Sequence, residues 1–592
     1  MKDFFKFMFA SMVGFILSSI LLFLVMMIII ASVVSMSTKN VVVISQKSVL
    51  ELKLNTPIPD RAPKTPTSFW VNSFGMNKVV GLDEILKNIE KAKKDDNIKG
   101  IYLELSVIPS GIGTMEEIRD KLLEFKESGK FILCYGEAFS QGAYYMATVA
   151  DKICLQPTGM LQFKGLNAEM LFFKGTLEKL DVDMQIIRPA SNRFKSAVEP
   201  FFLDKMSDAN REQTMVYITS VWDDVLSAIS ASRHISVAEL NRLADSLLVR
   251  NGEDALKYKL VDGLYYKDQV MDELRKMLDI GPGKKISMVK LSKYVNVTVK
   301  ALQSQYTPNK IAVIYALGAI QGGEGDDNTI GSDRMAKAIM QARSDSAVKA
   351  IVFRVNSPGG SALASDVIRR EIKLAKAAKP VIASYGSVAA SGGYWISCMA
   401  DKIIADKTSL TGSIGVFGMI PNIQGLMNNK LGITFDHAQT NANASFPSVD
   451  RSLTPYEMSV LQFTVDDTYD QFLQLVSGAR HLTVEHIGEI AGGRIWPAPK
   501  AKEIGLIDEF GGLEKAVKVA AEAAGIENYR LISLPKQKEP LQQIYEALTG
   551  QNDEQDVIKK TLGENFRYYQ LLKDITQTKG VLARLPFEMT IY

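Results

Sequence analysis

The chain is written twice. The stretch that starts at Gly129, GKFILCYGEAFSQGAYYMATVADKICLQPTG, returns in outline as KPVIASYGSVAASGGYWISCMADKIIADKTS from Lys379. Tyr135-Gly136 answers Tyr385-Gly386, Tyr144 answers Tyr394, and Asp151-Lys152 answers Asp401-Lys402, all at an offset of 250. Further on, Arg233-His234 answers Arg480-His481, and Leu260-Val261-Asp262 answers Leu506-Ile507-Asp508. At roughly 100–200 residues per domain, a chain of 592 residues would hold about three or four unrelated units. The repeat replaces that expectation with one fold used twice.

Each copy reads the same way. Short β-branched runs at 100–105, 350–355 and 381–385 have the pattern of buried strands, and the helical patterns at 114–127 and 364–377 lie between them. Strands alternating with helices imply an α/β fold with a parallel sheet. A new strand at 311–316 follows Thr307-Pro308-Asn309, which puts the boundary between a first unit, 41–307, and a second, 308–535. Both units close on a helix, a turn and a strand (286–289 and 531–534). A tail, 536–592, has helical stretches around the polar break 550–554 and could pack on the body or mediate assembly.

Residues 7–36 carry no charge, more than enough at 1.5 Å per residue to cross a bilayer about 30 Å thick. The run is too long for the apolar core of a cleaved signal peptide, although Ser35 and Ser37 imitate a cleavage site. Residues 1–40 are therefore expected to be a retained anchor. Lys2 and Lys6 precede the span while Lys39 and Lys47 follow it, so the charge rule only weakly places the N-terminus in the cytoplasm. No second such run occurs, and the rest of the chain is expected on one side.

Several chemistries are excluded early. Cys134, Cys154 and Cys398 show neither a disulfide framework nor metal-ligand spacing and read as small buried hydrophobes. With four histidines, a histidine cluster is not expected, and His234 and His481 occupy matching, structural places in both copies. A net charge of +3 gives no electrostatic footprint for nucleic acid.

Two glycine-rich turns in the second copy can carry chemistry. Asn356-Ser357-Pro358-Gly359-Gly360-Ser361 lies between a strand and a helix, where glycine lets backbone N–H groups approach a developing oxyanion. In Ala389-Ala390-Ser391-Gly392-Gly393 a serine follows a strand and opens a helix; taken alone it reads as an N-cap. Neither turn fits a phosphate-binding loop. The repeat sharpens this picture. Gln141 stands opposite Ser391, and Ser445 stands opposite Lys195, so one copy keeps a serine and the other a lysine. A composite site, with one group from each copy, would produce that reciprocal loss.

Four motifs in order then give a resemblance over essentially the whole chain: RFKSAVEPF (193–201), NSPGGS (356–361), AASGGYW (389–395) and TGSIGV (411–416). The chain resembles the long, duplicated, membrane-anchored form of the signal peptide peptidase A (protease IV) family. The resemblance implies a repeated ββα spiral like that of Clp protease and crotonase. It implies hydrolysis of cleaved signal peptides by a Ser–Lys dyad through an acyl-enzyme. Ser391 would be the nucleophile and Lys195 the general base, with a pKa depressed by burial from about 10.4. Ser413 would orient Lys195; its counterpart in the first copy is Phe163. The backbone N–H groups of Gly360 and Gly392 would form the oxyanion hole, with Gly359 shaping the turn or contributing. No cofactor or metal is implied. The expected setting is the inner membrane, with the N-terminus cytoplasmic and the body periplasmic. The expected assembly is a bowl-shaped homotetramer, its dyad within one chain or across chains. Two other functions share the fold: an acyl-CoA enzyme, which usually carries acids in its oxyanion turn, and an inactive scaffold. A triad through His437 is the rival mechanism.

Overall fold

Two sheets repeat each other strand for strand. The computed structural model describes residues 2–37, 44–64, 79–299, 307–538 and 581–584. In the first half β1 (Ser48–Lys53), β2 (Ile98–Glu104), β3 (Phe131–Phe139), β4 (Lys152–Leu161), β6 (Gly263–Leu264) and β7 (Met288–Lys290) run in the order β6-β4-β3-β2-β1-β7, all parallel. The second half has β8 (Lys310–Leu317), β11 (Val348–Ser357), β13 (Val381–Ala390), β14 (Lys402–Ala405), β18 (Glu509–Phe510) and β19 (Arg530–Leu534) in the corresponding parallel order β18-β14-β13-β11-β8-β19. Two strands extend this sheet: β15 (Leu410–Gly412), parallel to β13, and β17 (Ile495–Pro497), antiparallel to β15. The expected α/β class with parallel sheets is what the structure shows.

The repeated residues are the ones that tie each copy together. The Tyr144 hydroxyl donates to the Leu260 carbonyl at 2.8 Å, and the Tyr394 hydroxyl to that of Leu506 at 2.9 Å. Asp151 accepts the Ile132 N–H near the start of β3, and Asp401 the Val381 N–H at the start of β13. Arg233 pairs with Asp262 and Arg480 with Asp508, while His234 and His481 end matching helices in the left-handed conformation (φ 57° and 55°). A buried backbone group left unpaired is costly, so these positions keep their side chains in both copies.

A third, mixed sheet draws on distant parts of the chain. Its order is β10 (Thr329–Gly331), β9 (Ala319–Gln321), β12 (Gly359–Ser361), β20 (Val581–Arg584), β16 (Phe417–Asn422) and β5 (Asp183–Ile187). Thus β5 pairs with β16, and β20, within the tail, is a strand between β12 and β16. The helical stretches expected in the tail lie outside the described residues.

Buried charge also joins the halves. Arg354, fully buried on β11, donates to Asp60 at 2.6 Å and to Glu117 at 2.5 Å. Glu117 lies on the helix Ile112–Lys126, whose Glu116 accepts the backbone N–H groups of Lys407 and Thr408. At the N-terminus a helix runs over Lys2–Ser37; its Lys6–Val25 window has mean hydropathy 2.4 and is not buried against any of the described residues. It is long and apolar enough to cross a membrane.

Candidate active site

Lys195 reaches the site on the segment that leaves β5. It ends in a single 3-10 turn, Ser196–Val198, followed by the short helix Glu199–Phe202. The second half grips this segment from three sides. The Phe194 N–H donates to the Gly492 carbonyl at 2.9 Å, and the Asn192 side-chain amide to the Val416 carbonyl at 2.9 Å. Gln213, fully buried, donates to the Phe194 carbonyl and the Ser196 hydroxyl and accepts from the Ile495 N–H. At Gly493 (φ 81°) a Cβ would come within 2.5 Å of the Lys195 Cβ and 2.6 Å of its backbone nitrogen. Only glycine allows that approach.

Ser391 sits where β13 turns into the helix Gly392–Ser397. It occupies the N-cap position, yet its side chain caps nothing. Its backbone is held at φ 55°, ψ −116°, a region costly for a residue with a Cβ, and its N–H is tied to the Gly412 carbonyl at 2.8 Å. That turn swings the hydroxyl away from the helix and toward Lys195. Ser413, next to Gly412, is held in the left-handed region at φ 50° by its N–H to the Arg494 carbonyl, 2.7 Å.

The three residues expected together are together, and all are fully buried. Lys195 Nζ lies 2.7 Å from Ser391 Oγ, 3.0 Å from Ser413 Oγ and 3.0 Å from the Ser413 carbonyl oxygen. Burial alone pushes the Lys195 pKa well below the usual lysine value, with no carboxylate to oppose it. A neutral amine has two N–H donors and one lone pair. The two Ser413 oxygens take both donors, which leaves the lone pair facing the Ser391 hydroxyl. Such an arrangement can accept the serine proton.

Beside this group lies the NSPGGS turn. The Gly359 N–H donates to Ser357 Oγ at 3.1 Å, and Ser357 Oγ in turn donates to the Gly318 carbonyl at 2.7 Å. Gly359 has φ 97°, and a Cβ there would come within 2.7 Å of the Gly392 nitrogen. The backbone of Gly359 and the N–H of Gly392 therefore approach closely at one corner. The apolar floor next to it is formed by Val198, Phe417 and Met419.

Comparison with known proteins gives this geometry a family. The model of Peptidase family S49 matches residues 124–281 and again 373–527, about half of the chain and once in each copy. The chain belongs to peptidase family S49. Protease 4 of Salmonella typhi is 38% identical over 478 residues, 79% of this chain and 76% of that protein. Protease 4 of Haemophilus influenzae is 33% identical, covering 76% and 74% of the two chains. The chloroplastic serine protease SPPA of Arabidopsis thaliana is 30% identical over 86% of this chain and 74% of that one. Among solved structures, a ClpP1 variant from Listeria monocytogenes matches 35% of this chain and 94% of its own at 15% identity, with a TM-score of 0.24, too low to bear on the fold. With S49 relatives over most of its length, the chain is a serine protease acting on peptides, and its N-terminal apolar helix is consistent with membrane anchoring.

The first S49 copy fills the corresponding places with structure. Gln141 accepts the N–H groups of Lys164 and Gly165 and donates to the Gly165 carbonyl, closing the loop that follows β4. Phe163 packs on Tyr144 and Trp222. Ser445 accepts from Arg451 and Gln439 on an outer loop. His437 pairs with Asp450 at 2.8 Å on that loop, while the Ser391 hydroxyl contacts Lys195 and the Gly415 carbonyl. All three cysteines are buried, and burial pushes their thiols up, those of Cys154 and Cys398 to about 12. Sequence reasoning missed Gly493 and Gln213, and it named Ser357 only as part of the NSPGGS turn, not as the acceptor of the Gly359 N–H. Of the first two only Gly493 left a trace, in the Gly492-Gly493 pair, and nothing local marked it as more than a turn.

Proposed function

We propose that this protein hydrolyses peptide bonds with a Ser391–Lys195 dyad. Ser391 Oγ attacks the scissile carbonyl as its proton passes to Lys195 Nζ; the leaving amine takes that proton, and water then hydrolyses the acyl-enzyme. Ser413 holds the amine's two N–H groups so that the lone pair faces Ser391. Gly360 and Gly392 donate their N–H groups to the oxyanion, each donor contributing about 2.7–4 kcal/mol to the transition state. Gly359 serves through its positive φ and its missing Cβ, since its own N–H is engaged by Ser357. The observation that carries this reading is the 2.7 Å contact between a fully buried, carboxylate-free lysine and a serine held off its cap.

On the same reading the unit 41–307 supplies the lysine and the unit 308–535 the serine. The substrates are signal peptides already released from their preproteins, which an anchored enzyme meets at the membrane. The anchor lies in the inner membrane with the body on the periplasmic side, and four chains enclose the sites. The test replaces Ser391 or Lys195 by alanine in the purified full chain. Loss of peptide hydrolysis in both variants is expected, and near wild-type hydrolysis in either refutes the dyad.

A further inference from the structure

Arg494 reaches from one copy into the other. Its backbone belongs to the second: the Arg494 carbonyl accepts the Ser413 N–H at 2.7 Å, and the next residue opens β17, where Ile495 stands opposite Gly412. Its side chain serves the first. The guanidinium carbon lies 4.5 Å from the centre of the Phe194 ring and 4.5 Å from that of Trp496, and one terminal nitrogen donates to Glu212 at 2.7 Å. The Arg193 guanidinium is farther from the Phe194 ring, at 5.3 Å. The Arg494 Nε is buried and has no hydrogen-bond partner among the described residues. A guanidinium with an open donor and two rings against it is held largely through its faces.

Phe194, the residue before Lys195, is fixed by this arrangement. Glu212 and Gln213 are neighbours on the helix Asp208–Arg233, and they hold Arg494 and Ile495, neighbours at the head of β17. Both rungs of this clamp touch Phe194: Gln213 bonds its carbonyl and Arg494 stacks on its ring. The repeat ties the clamp to the lysine. At the offset of 246 that relates Leu260 to Leu506, Leu247-Leu248 stand where the second copy has Gly493-Arg494. At the offset of 247 that relates Arg233 to Arg480, Ser459-Val460 stand where the first copy has Glu212-Gln213. Leu247 keeps a left-handed backbone, φ 47°, but its side chain is exposed. The turn is thus common to both copies, while the glycine and the arginine occur where a lysine has to be admitted and held.

We propose that Arg494 is a positioning residue for the hydrolysis: stacked on Phe194 and paired with Glu212, it fixes the residue before Lys195 and so holds Nζ at Ser391 Oγ. This rests on the Ser391–Lys195 reading above. The role is played through Phe194. Without the guanidinium the ring is free to swing, the backbone of 194–195 follows it, and Nζ drifts from the 2.7 Å contact on which proton transfer depends. Substrate binding does not enter this chain of contacts, so the loss belongs to the chemical step.

Steady-state hydrolysis of a fluorogenic peptide by the full chain, purified in detergent, tests this, with thermal unfolding of each sample. Arg494→Ala is expected to lower kcat about tenfold with KM unchanged. Arg494→Lys keeps the charge but cannot lie flat against two rings, and should lose about threefold. Phe194→Leu should lose about tenfold by itself. In that background Arg494→Ala should cost less than about twofold more, because the ring it acts through is gone. Losses that multiply in full in the double variant overturn the inference, as does wild-type kcat in Arg494→Ala or an effect confined to KM. If Arg494→Ala does not unfold cooperatively, the same cycle is run with Arg494→Lys, whose loss must vanish in Phe194→Leu. Lys195→Ala separates the two readings. Hydrolysis that survives it removes the dyad and the inference with it, whereas an inactive Lys195→Ala beside a fully active Arg494→Ala removes the inference alone.

Discussion

Gly493 gives the sharpest handle on how the site is held. In Gly493→Ala the new Cβ would stand 2.5 Å from the Lys195 Cβ. Carbon atoms rest at about 3.5–4.0 Å, so the lysine segment must retreat by roughly 1 Å. Moved that far, Nζ would leave its 2.7 Å contact with Ser391 Oγ and lie beyond hydrogen-bonding reach. A misplacement of about 1 Å costs on the order of 10²-fold in rate, or about 2.7 kcal/mol of barrier. The substitution also places a side chain at φ 81°, which costs roughly 1–2 kcal/mol of folding stability. The assay is steady-state hydrolysis of a fluorogenic peptide, with thermal unfolding of the same sample. We expect kcat to fall about 10²-fold with KM little changed, in a protein that still unfolds cooperatively at a lower Tm. A cooperatively folded variant with kcat near that of wild type would refute the claim that this contact sets the Lys195–Ser391 distance.

Other perturbations follow from the same geometry. Ser413→Ala removes one of two oxygens that hold Nζ, a net loss of about 1 kcal/mol, so kcat should fall about fivefold with KM unchanged; a fall in KM binding alone would contradict an orienting role. Arg354→Ala leaves Asp60 and Glu117 buried and uncompensated. It should destabilise the fold by about 3–5 kcal/mol in urea unfolding, and a loss under about 1 kcal/mol would show that water or rearrangement satisfies them. Lys195 also links stability to pH. Its folded pKa is depressed, so between that value and the unfolded value near 10.5 the unfolded state binds the extra proton. Its contribution to stability is full above 10.5 and is lost as the pH falls toward the folded pKa. Lys195→Met should remove that rise, seen as a smaller difference in Tm between neutral and alkaline buffer than in wild type.

The sequence carried the repeat because its signals are local. Tyr144, Asp151, Arg233 and Asp262 recur with Tyr394, Asp401, Arg480 and Asp508, and each makes the same bond in its own copy. The reciprocal loss of Ser391 and Lys195 was legible for the same reason, since alignment of the copies puts Gln141 and Ser445 in their places. The mixed sheet was not legible. Its strands β5, β12, β16 and β20 are three to six residues long and come from four distant places. Short edges of that kind are specified by their partners rather than by their own pattern. Ser391 shows the limit within a single residue. Strand-serine-helix predicts a cap, and the position is a cap, but the backbone at φ 55° turns the hydroxyl elsewhere. Gly493 showed in the sequence only as one of a glycine pair, because its role is an absence, the missing Cβ that admits Lys195.

The central claim is that buried, neutral Lys195 takes the proton from Ser391. The most direct measurement is the rate at which a fluorophosphonate labels Ser391 as pH is raised from acid to alkaline, in wild type and in Lys195→Met. Wild type should label with a midpoint well below the ordinary lysine value of 10.5, falling away as the amine protonates at lower pH. Lys195→Met should lose that midpoint and label about 10²–10⁴-fold more slowly at neutral pH. Equal rates and the same pH profile in the two proteins would contradict it.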